Sequence, residues 1–519
     1  MLKTQAASTI VIRRPRLYFS APHPANSRYP SSASVSASES DDPEHILMAD
    51  QEPDTSPSSR PRMTLAQMFP QSFGESAKQW WSCTNPKLAE QRLLNMIPYL
   101  KEASSDNMTP PANHSDPFGF RVWRSQMVEL SGKNRALNEY SVERVGEKID
   151  ENLVMLHGYG AGLGFFYRNY EPLSRAAGWK LYALDMLGMG NSSRPSFSIK
   201  AKTREAQIAE AESWFIDSLE EWRSKRKIES FTLCAHSLGG YLGVAYALKY
   251  PGRIKKLILA SPVGVPSDPH AVSAEIPEPE ESTMQNEFTR DQESIVHGNN
   301  APNPEAAPRR RVPGWLSYLW DANVSPFSIV RLTGPLGPRL VSGWSSRRFN
   351  HLPETDAGLL HDYAFSIFRQ TGSGEYAMPY LLAPGAFARS PLINRIDGVG
   401  RQMLPIPAGS SASAVPLRET GIPIIMMYGD GDWMDAAGGF AAEQKLLKAR
   451  EKALLTGTDH EKKNENGAAK VLIVQDAGHH LFLDNPDEFN KYIRAEMDET
   501  RTDGLRKQTL LAAQNATQA

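Results

Sequence analysis

Ser237 lies in Ala235-His236-Ser237-Leu238-Gly239-Gly240, where an apolar run, Ser230–Ala235, meets a helix-spaced stretch that reaches about Tyr250. A serine on so abrupt a strand-to-helix turn presents its hydroxyl at a helix N-terminus, and the turn closes only with small neighbours. Alanine replaces the usual first glycine, and the bland alternative is a helix-capping serine. Two further groups follow later apolar runs. Asp432 lies in Gly429-Asp430-Gly431-Asp432-Trp433-Met434-Asp435, and His479 in Asp476-Ala477-Gly478-His479-His480. Hydroxyl, carboxylate and imidazole are the parts of covalent acyl chemistry. The imidazole takes the serine proton and later returns it to the leaving group, while the carboxylate orients the ring and stabilises its cation. Asp432, at a G-x-x-D position, is the expected acid, with Asp435 in reserve; His480 is expected to pack or to line a rim.

A third run, Leu153–His157, ends in His157-Gly158-Tyr159-Gly160-Ala161-Gly162. Glycines there let backbone approach a substrate closely. The N–H groups of Tyr159 and Leu238 are the expected oxyanion donors, each worth about 3–4 kcal/mol of barrier. No G-x-G-x-x-G opens a helix with an acid about 20 residues on, so no dinucleotide site is expected. The chemistry calls for no cofactor and no metal.

These groups need rigid supports. Leu153–His157, Leu181–Asp185, Ser230–Ala235, Lys256–Ala260, Ile422–Tyr428 and Val471–Gln475 read as buried parallel strands. Between them lie helical patterns. In Arg204–Arg226 an apolar stripe recurs as Ile208, Ala211, Phe215, Leu219 and Trp222; another helix follows Ser237 and ends at Pro251-Gly252; a third covers Asp487–Met497 behind Asn485-Pro486. Such alternation predicts an α/β fold with a mostly parallel sheet flanked by helices, whose ligands sit at the carboxyl ends of the strands.

The 519 residues carry 57 Lys+Arg and 59 Asp+Glu, a net charge of −2 that argues against nucleic acid as a partner. Two cysteines, Cys83 and Cys234, make no disulfide framework. No apolar stretch reaches the roughly 20 residues of a membrane span. From Met1 to Ser38 there is no acid, while Lys3, Arg13, Arg14, Arg16 and Arg28 are basic among many Ser and Ala. That composition reads as a mitochondrial transit peptide, with a plain polar tail as the alternative. Oligomeric state is not legible.

Asp185-Met186-Leu187-Gly188-Met189-Gly190-Asn191-Ser192-Ser193-Arg194-Pro195 resembles a signature of one lipid-active α/β-hydrolase subfamily. It includes the lipid-droplet lipase co-activator, the N-acyl-phosphatidylethanolamine lipase and the fungal mitochondrial cardiolipin-specific deacylase. The resemblance recurs at His157–Phe166, Ala235–Leu242, Thr333–Leu340 and Gly478–Pro486, and Ser, acid and His come in the family's chain order. It implies an α/β-hydrolase fold with an inserted helical cap and a phospholipid substrate met at a membrane. Trp80-Trp81, ahead of Leu88-Ala89-Glu90, is similar to the family's membrane-docking segment, though a tryptophan pair also suits a core. The family's H-x4-D element maps onto His479 and Asp484, which implies acyl transfer to a lysophospholipid; Asp484 is equally suited to favouring the next helix N-terminus.

The expected organisation is an extension at 1–61, a docking segment at 62–117, core at 118–261, cap at 262–394 with an insertion near 266–313, core at 395–501 and a polar tail at 502–519. The cap's Trp315, Leu316, Trp320, Phe327, Ile329 and Trp344 suit acyl chains. The expected reaction is serine-dependent deacylation of a glycerophospholipid, cardiolipin first, at the mitochondrial inner membrane. The alternatives are a lysophospholipid acyltransferase, a cytoplasmic or lipid-droplet location, and a non-catalytic regulator of a membrane lipase.

Overall fold

The computed structural model describes residues 68–82, 85–104, 109, 115–267, 320, 322–383, 387–406, 417–434 and 436–518, all within one compact unit, Met63–Ala519. The 1–61 extension, most of the 266–313 insertion, Trp315, Leu316 and Asp435 lie outside the described residues.

Among the described residues nine strands form one sheet: β1 (Lys101–Glu102), β2 (Arg121–Glu129), β3 (Ala136–Arg144), β4 (Glu151–Leu156), β5 (Trp179–Leu184), β6 (Phe231–His236), β7 (Ile254–Ala260), β8 (Pro423–Gly429) and β9 (Ala468–Val474). Their order is β1-β2-β3-β5-β4-β6-β7-β8-β9. β3 runs antiparallel to β2 and to β5; the other neighbours are parallel. The six expected strands are β4 to β9, and β6 is buried along its whole length, as a run covered on both faces must be.

The main helices are α1 (Phe73–Ser82), α2 (Pro86–Leu94), α3 (Tyr167–Leu173), α4 (Arg204–Lys225), α5 (Leu238–Lys249), α6 (Pro326–Leu332), α7 (Gly337–Arg348), α8 (Glu354–Phe368), α9 (Ala436–Thr456) and α10 (Pro486–Gln518). α4 is the striped helix, and Ile208, Ala211, Phe215, Leu219 and Trp222 are all buried. Between β7 and β8 the chain builds the cap from α6, α7 and α8, and α8 lies against α2. The polar tail at 502–519 continues α10 as helix to Gln518. The polar Gly457–Gly467 stretch contains a short helix, Asp459–Lys463, held by a reciprocal Thr458–Glu461 cap.

Candidate active site

The turn between β6 and α5 holds Ser237 at φ +52° and ψ −115°, a conformation that costs a non-glycine residue roughly 1–3 kcal/mol. The sheet keeps it there: the Ser237 N–H donates to Ala260 O at 3.0 Å, and its carbonyl accepts from Tyr241 and Val263 N–H at 3.1 and 3.3 Å. Small residues are required around it. A Cβ on Gly239 would stand 2.7 Å from His157 O, and one on Gly240 3.0 Å from Pro262. The Ala235 methyl is not crowded by α5, since even a Cβ added at Gly243 would keep an ordinary 3.7 Å from it.

Asp432 and His479 close the second side. They follow the neighbouring parallel strands β8 and β9. His479 Nδ1 lies 3.3 Å from Asp432 Oδ1, with both side chains about 1% exposed. The Met434 N–H fixes Asp432 Oδ1 at 2.9 Å. His236, the residue before Ser237, contacts the His479 carbonyl through Nε2 at 3.0 Å and packs its ring 4.7 Å from the His479 ring. Trp433 covers another side of that ring at 4.9 Å. Three widely separated segments, carrying Ser237, Asp432 and His479, therefore meet at one end of the sheet.

One participant was not foreseen. Ser261, just past β7, donates its hydroxyl to Asp432 Oδ2 and lies 2.8 Å from His479 Nδ1. The available signal was its position directly after a parallel strand, the place where ligand-facing residues collect.

The glycine-rich loop after β4 packs onto the elbow, since a Cβ on Gly158 would fall 2.9 Å from Ser237 Cβ. Leu238 is the first residue of α5, so its N–H belongs to the open donors of a helix start. Tyr159 follows Gly158, and its ring meets Phe327 of the cap at 5.3 Å. Phe327 stacks in turn on Phe368 at 4.7 Å. A small pocket lies here, lined by Tyr159, Gly160, Met189, Phe327, Ile367 and Phe368 among others. Phe327 and Trp344 are buried, Trp320 is half-buried, and Ile329 turns outward.

The remaining singled-out residues separate. Asp484 accepts from Arg348 of α7 at 2.8 Å and from the Gly478 N–H at 3.1 Å. Arg348 Nε also donates to His480 Nδ1 at 3.0 Å. The H-x4-D carboxylate thus binds the loop that carries His479 to the cap, and His480 is a packing residue, as expected. Trp80 and Trp81 point to different surroundings. Trp80 lies 6.5 Å from Phe365 with the Arg369 guanidinium 5.0 Å over its ring, whereas Trp81 is 71% exposed. Among the described residues no group of three or more His, Cys, Asp or Glu could hold a metal ion, and no described helix is long and apolar enough to cross a membrane.

The signature after β5 builds a polar knot beneath the cap. Asp185 accepts from Leu163 N–H at 2.6 Å, Asn191 N–H at 2.7 Å and Asn138 Nδ2 at 2.9 Å. Glu90 of α2 shares Asn138 at 2.9 Å and takes Asn191 Nδ2 at 2.8 Å. Burial first, and then the Asp185 charge, push the Glu90 carboxyl up to about 8. Gly190 is required here, because a Cβ would fall 2.2 Å from Asp185.

Comparison with known proteins agrees with this architecture. A family model described as the alpha/beta hydrolase fold matches residues 151–301. The chain is similar to the 1-acylglycerol-3-phosphate O-acyltransferase of Arabidopsis thaliana, 31% identical over 80% of this chain and 84% of that protein. It is also similar to the 1-acylglycerol-3-phosphate O-acyltransferase ABHD5 of Mus musculus, 27% identical over 72% of this chain and 84% of that one. The (lyso)-N-acylphosphatidylethanolamine lipase of Homo sapiens is 29% identical over 72% of this chain and 86% of its own. With this sheet order, this elbow and these relatives, the chain belongs to the lipid-active subfamily of the α/β hydrolases.

Proposed function

We propose that the protein is a serine hydrolase that deacylates a glycerophospholipid, with Ser237 as nucleophile, His479 as base and Asp432 as acid. The observation that carries this reading is the buried Asp432–His479 pair set against the strained Ser237 turn. His479 takes the Ser237 proton as Oγ bonds to the acyl carbonyl carbon. The Tyr159 and Leu238 N–H groups receive the developing oxyanion. His479 then protonates the departing alkoxide, which leaves as the lysolipid, and water releases the acid by the same steps reversed in role. The acid-free, basic Met1–Ser38 segment favours a mitochondrial membrane and hence a cardiolipin-type substrate. A fluorophosphonate probe should label wild type and not Ser237→Ala, and only wild type should release fatty acid from cardiolipin vesicles. Labelling of both proteins alike would refute the mechanism; equal turnover of every phospholipid offered would remove the cardiolipin preference.

A second reading is supported by the relatives named acyltransferases. The acyl-Ser237 intermediate is then captured by a lysophospholipid hydroxyl in place of water. Partition of a labelled acyl chain between free acid and diacyl product separates the two.

Membrane docking is proposed to rest on Trp81 rather than on the tryptophan pair. Trp81 shares α1 with Phe73, 64% exposed, and α1 is tied to the cap by the Ser76 hydroxyl donating to Pro335 O at 2.6 Å. On α6 of the cap, Ile329 and Leu332 are 54% and 85% exposed. At about 25 cal/mol per Å², burying one indole in a bilayer surface contributes roughly 3–4 kcal/mol. Trp81→Ala should lose vesicle binding while hydrolysing a soluble p-nitrophenyl ester normally, and Trp80→Ala should lower the melting temperature. Unchanged vesicle binding by Trp81→Ala would move docking elsewhere.

A further inference from the structure

We propose that Ser261 is a positioning residue of this triad, its hydroxyl relaying the Asp432 carboxylate to Nδ1 of His479. The proposal rests on the triad reading above and adds a fourth member to it.

Ser261 is fully buried, and the backbone holds it firmly: its N–H donates to Met427 O at 2.7 Å, across from β7 to the neighbouring β8. It adopts φ +47°, a region that a non-glycine residue occupies only when its surroundings impose it. The side chain shows what is gained. Its O–H is donated to Asp432 Oδ2, so its lone pairs are left to accept. His479 Nδ1 lies 2.8 Å from that oxygen, closer than its 3.3 Å to Asp432 Oδ1. Because the hydroxyl hydrogen is committed to the carboxylate, Nδ1 must carry hydrogen to make this bond. That selects the tautomer with its lone pair on Nε2, the form a general base requires. No proton leaves Ser261 at any stage. When His479 becomes a cation, Nδ1 keeps its hydrogen, and the charge is stabilised by the carboxylate both directly and through the serine oxygen.

The arrangement divides the work between two weak contacts. Asp432 alone holds the ring at the long end of hydrogen-bond range, where orientation is loose. Ser261 supplies the short contact, anchored to the sheet rather than to the loop that follows β8. Its effect is therefore expected on turnover and not on substrate affinity.

The test measures kcat and KM on a soluble p-nitrophenyl ester, so that membrane docking does not enter. Ser261→Ala should lower kcat about 10–100-fold, as loss of a hydrogen bond to a charged group does, with KM within twofold. Ser261→Gly relieves the positive φ but also lacks the hydroxyl, so it should show the same loss. In an Asp432→Asn background, Ser261→Ala should cost less than about threefold, since the serine acts through the carboxylate. Wild-type kcat in both Ser261 variants would overturn the proposal. So would recovery by glycine alone, which would make the residue a backbone feature, or a full multiplicative loss in the Asp432→Asn background. Ser237→Ala, run alongside, separates the two levels. If it stays active, the triad reading itself falls; if it is dead while Ser261→Ala is normal, only the relay falls.

Discussion

Two buried histidine–carboxylate pairs stand at the carboxyl end of the same sheet, and only one has the surroundings of a reactive site. His157 and Asp185 follow the parallel neighbours β4 and β5 with Nε2 and Oδ1 3.6 Å apart. His479 and Asp432 follow the parallel neighbours β8 and β9 at 3.3 Å. In the first pair the backbone occupies both ring nitrogens: Nδ1 donates to Gly158 O at 2.7 Å, and Nε2 accepts from Met186 N–H at 3.0 Å. Burial holds the His157 pKa below its ordinary 6.5, which keeps the ring neutral and suits that accepting role. Asp185 is likewise filled by two backbone N–H groups and an asparagine amide. The second pair meets side chains instead, with Ser261 and Asp432 at Nδ1 and His236, Trp433 and His480 around the ring. A buried imidazole bonded to backbone through both nitrogens fixes loops; one held through Nδ1 by a carboxylate and a hydroxyl has the orientation a general base needs.

The largest effect that could break this contrast is on rate. His479→Ala should lower kcat by about 10⁴-fold or more with the fold intact, because triad members act as a unit. His157→Ala should do the opposite, destabilising the chain by about 2–4 kcal/mol while the folded fraction keeps kcat within about tenfold. A folded but inactive His157→Ala would place that pair in the chemistry. The carboxylates give the next largest contrast. Asp432→Asn should cost about 10³–10⁴ in kcat with little change in melting temperature, since an amide cannot stabilise the imidazolium. Asp185→Asn sets an amide NH2 against one or two of the three N–H donors and should cost about 2–3 kcal/mol of stability. Equal melting temperatures for the two variants would erase the distinction.

Most of the scaffold was legible because its strands are continuous apolar runs. β2 and β3 were not foreseen, for a physical reason. β3 buries Asn138, Glu139 and Ser141, which read as surface residues. Glu139 is buried because Trp222 Nε1 donates to it at 2.7 Å and Arg226 pairs with it, partners 83 and 87 residues away. Ser261 was invisible in the same way, because its partners Asp432 and His479 lie 171 and 218 residues off. Ser237, Asp432 and His479 were legible because each motif is local and each follows a readable strand. The tryptophan pair, read as a unit from the sequence, is divided in the structure. Adjacent helical residues point about 100° apart, so one packs under the cap and the other faces solvent.

The smallest effect concerns the carboxylate that stabilises the scaffold pair. Glu90 reaches from α2 into the Asp185 knot, and its folded pKa is raised from an ordinary 4.5 to about 8, by burial first and by the Asp185 charge second. Below pH 4.5 the folded and unfolded chains both hold the proton, and the contribution is fully present. Between 4.5 and about 8 the folded chain keeps a proton that the unfolded chain has released, so stability falls steadily as pH rises. Above about 8 the carboxylate ionises in place and the contribution is gone. Glu90→Gln carries no charge at any pH and retains an oxygen for the Asn138 and Asn191 amides. Relative to this variant, wild type should lose stability steadily between pH 5 and 8.5, read as a falling melting temperature. If Glu90→Gln follows the wild-type pH curve, the proton is held elsewhere in the knot.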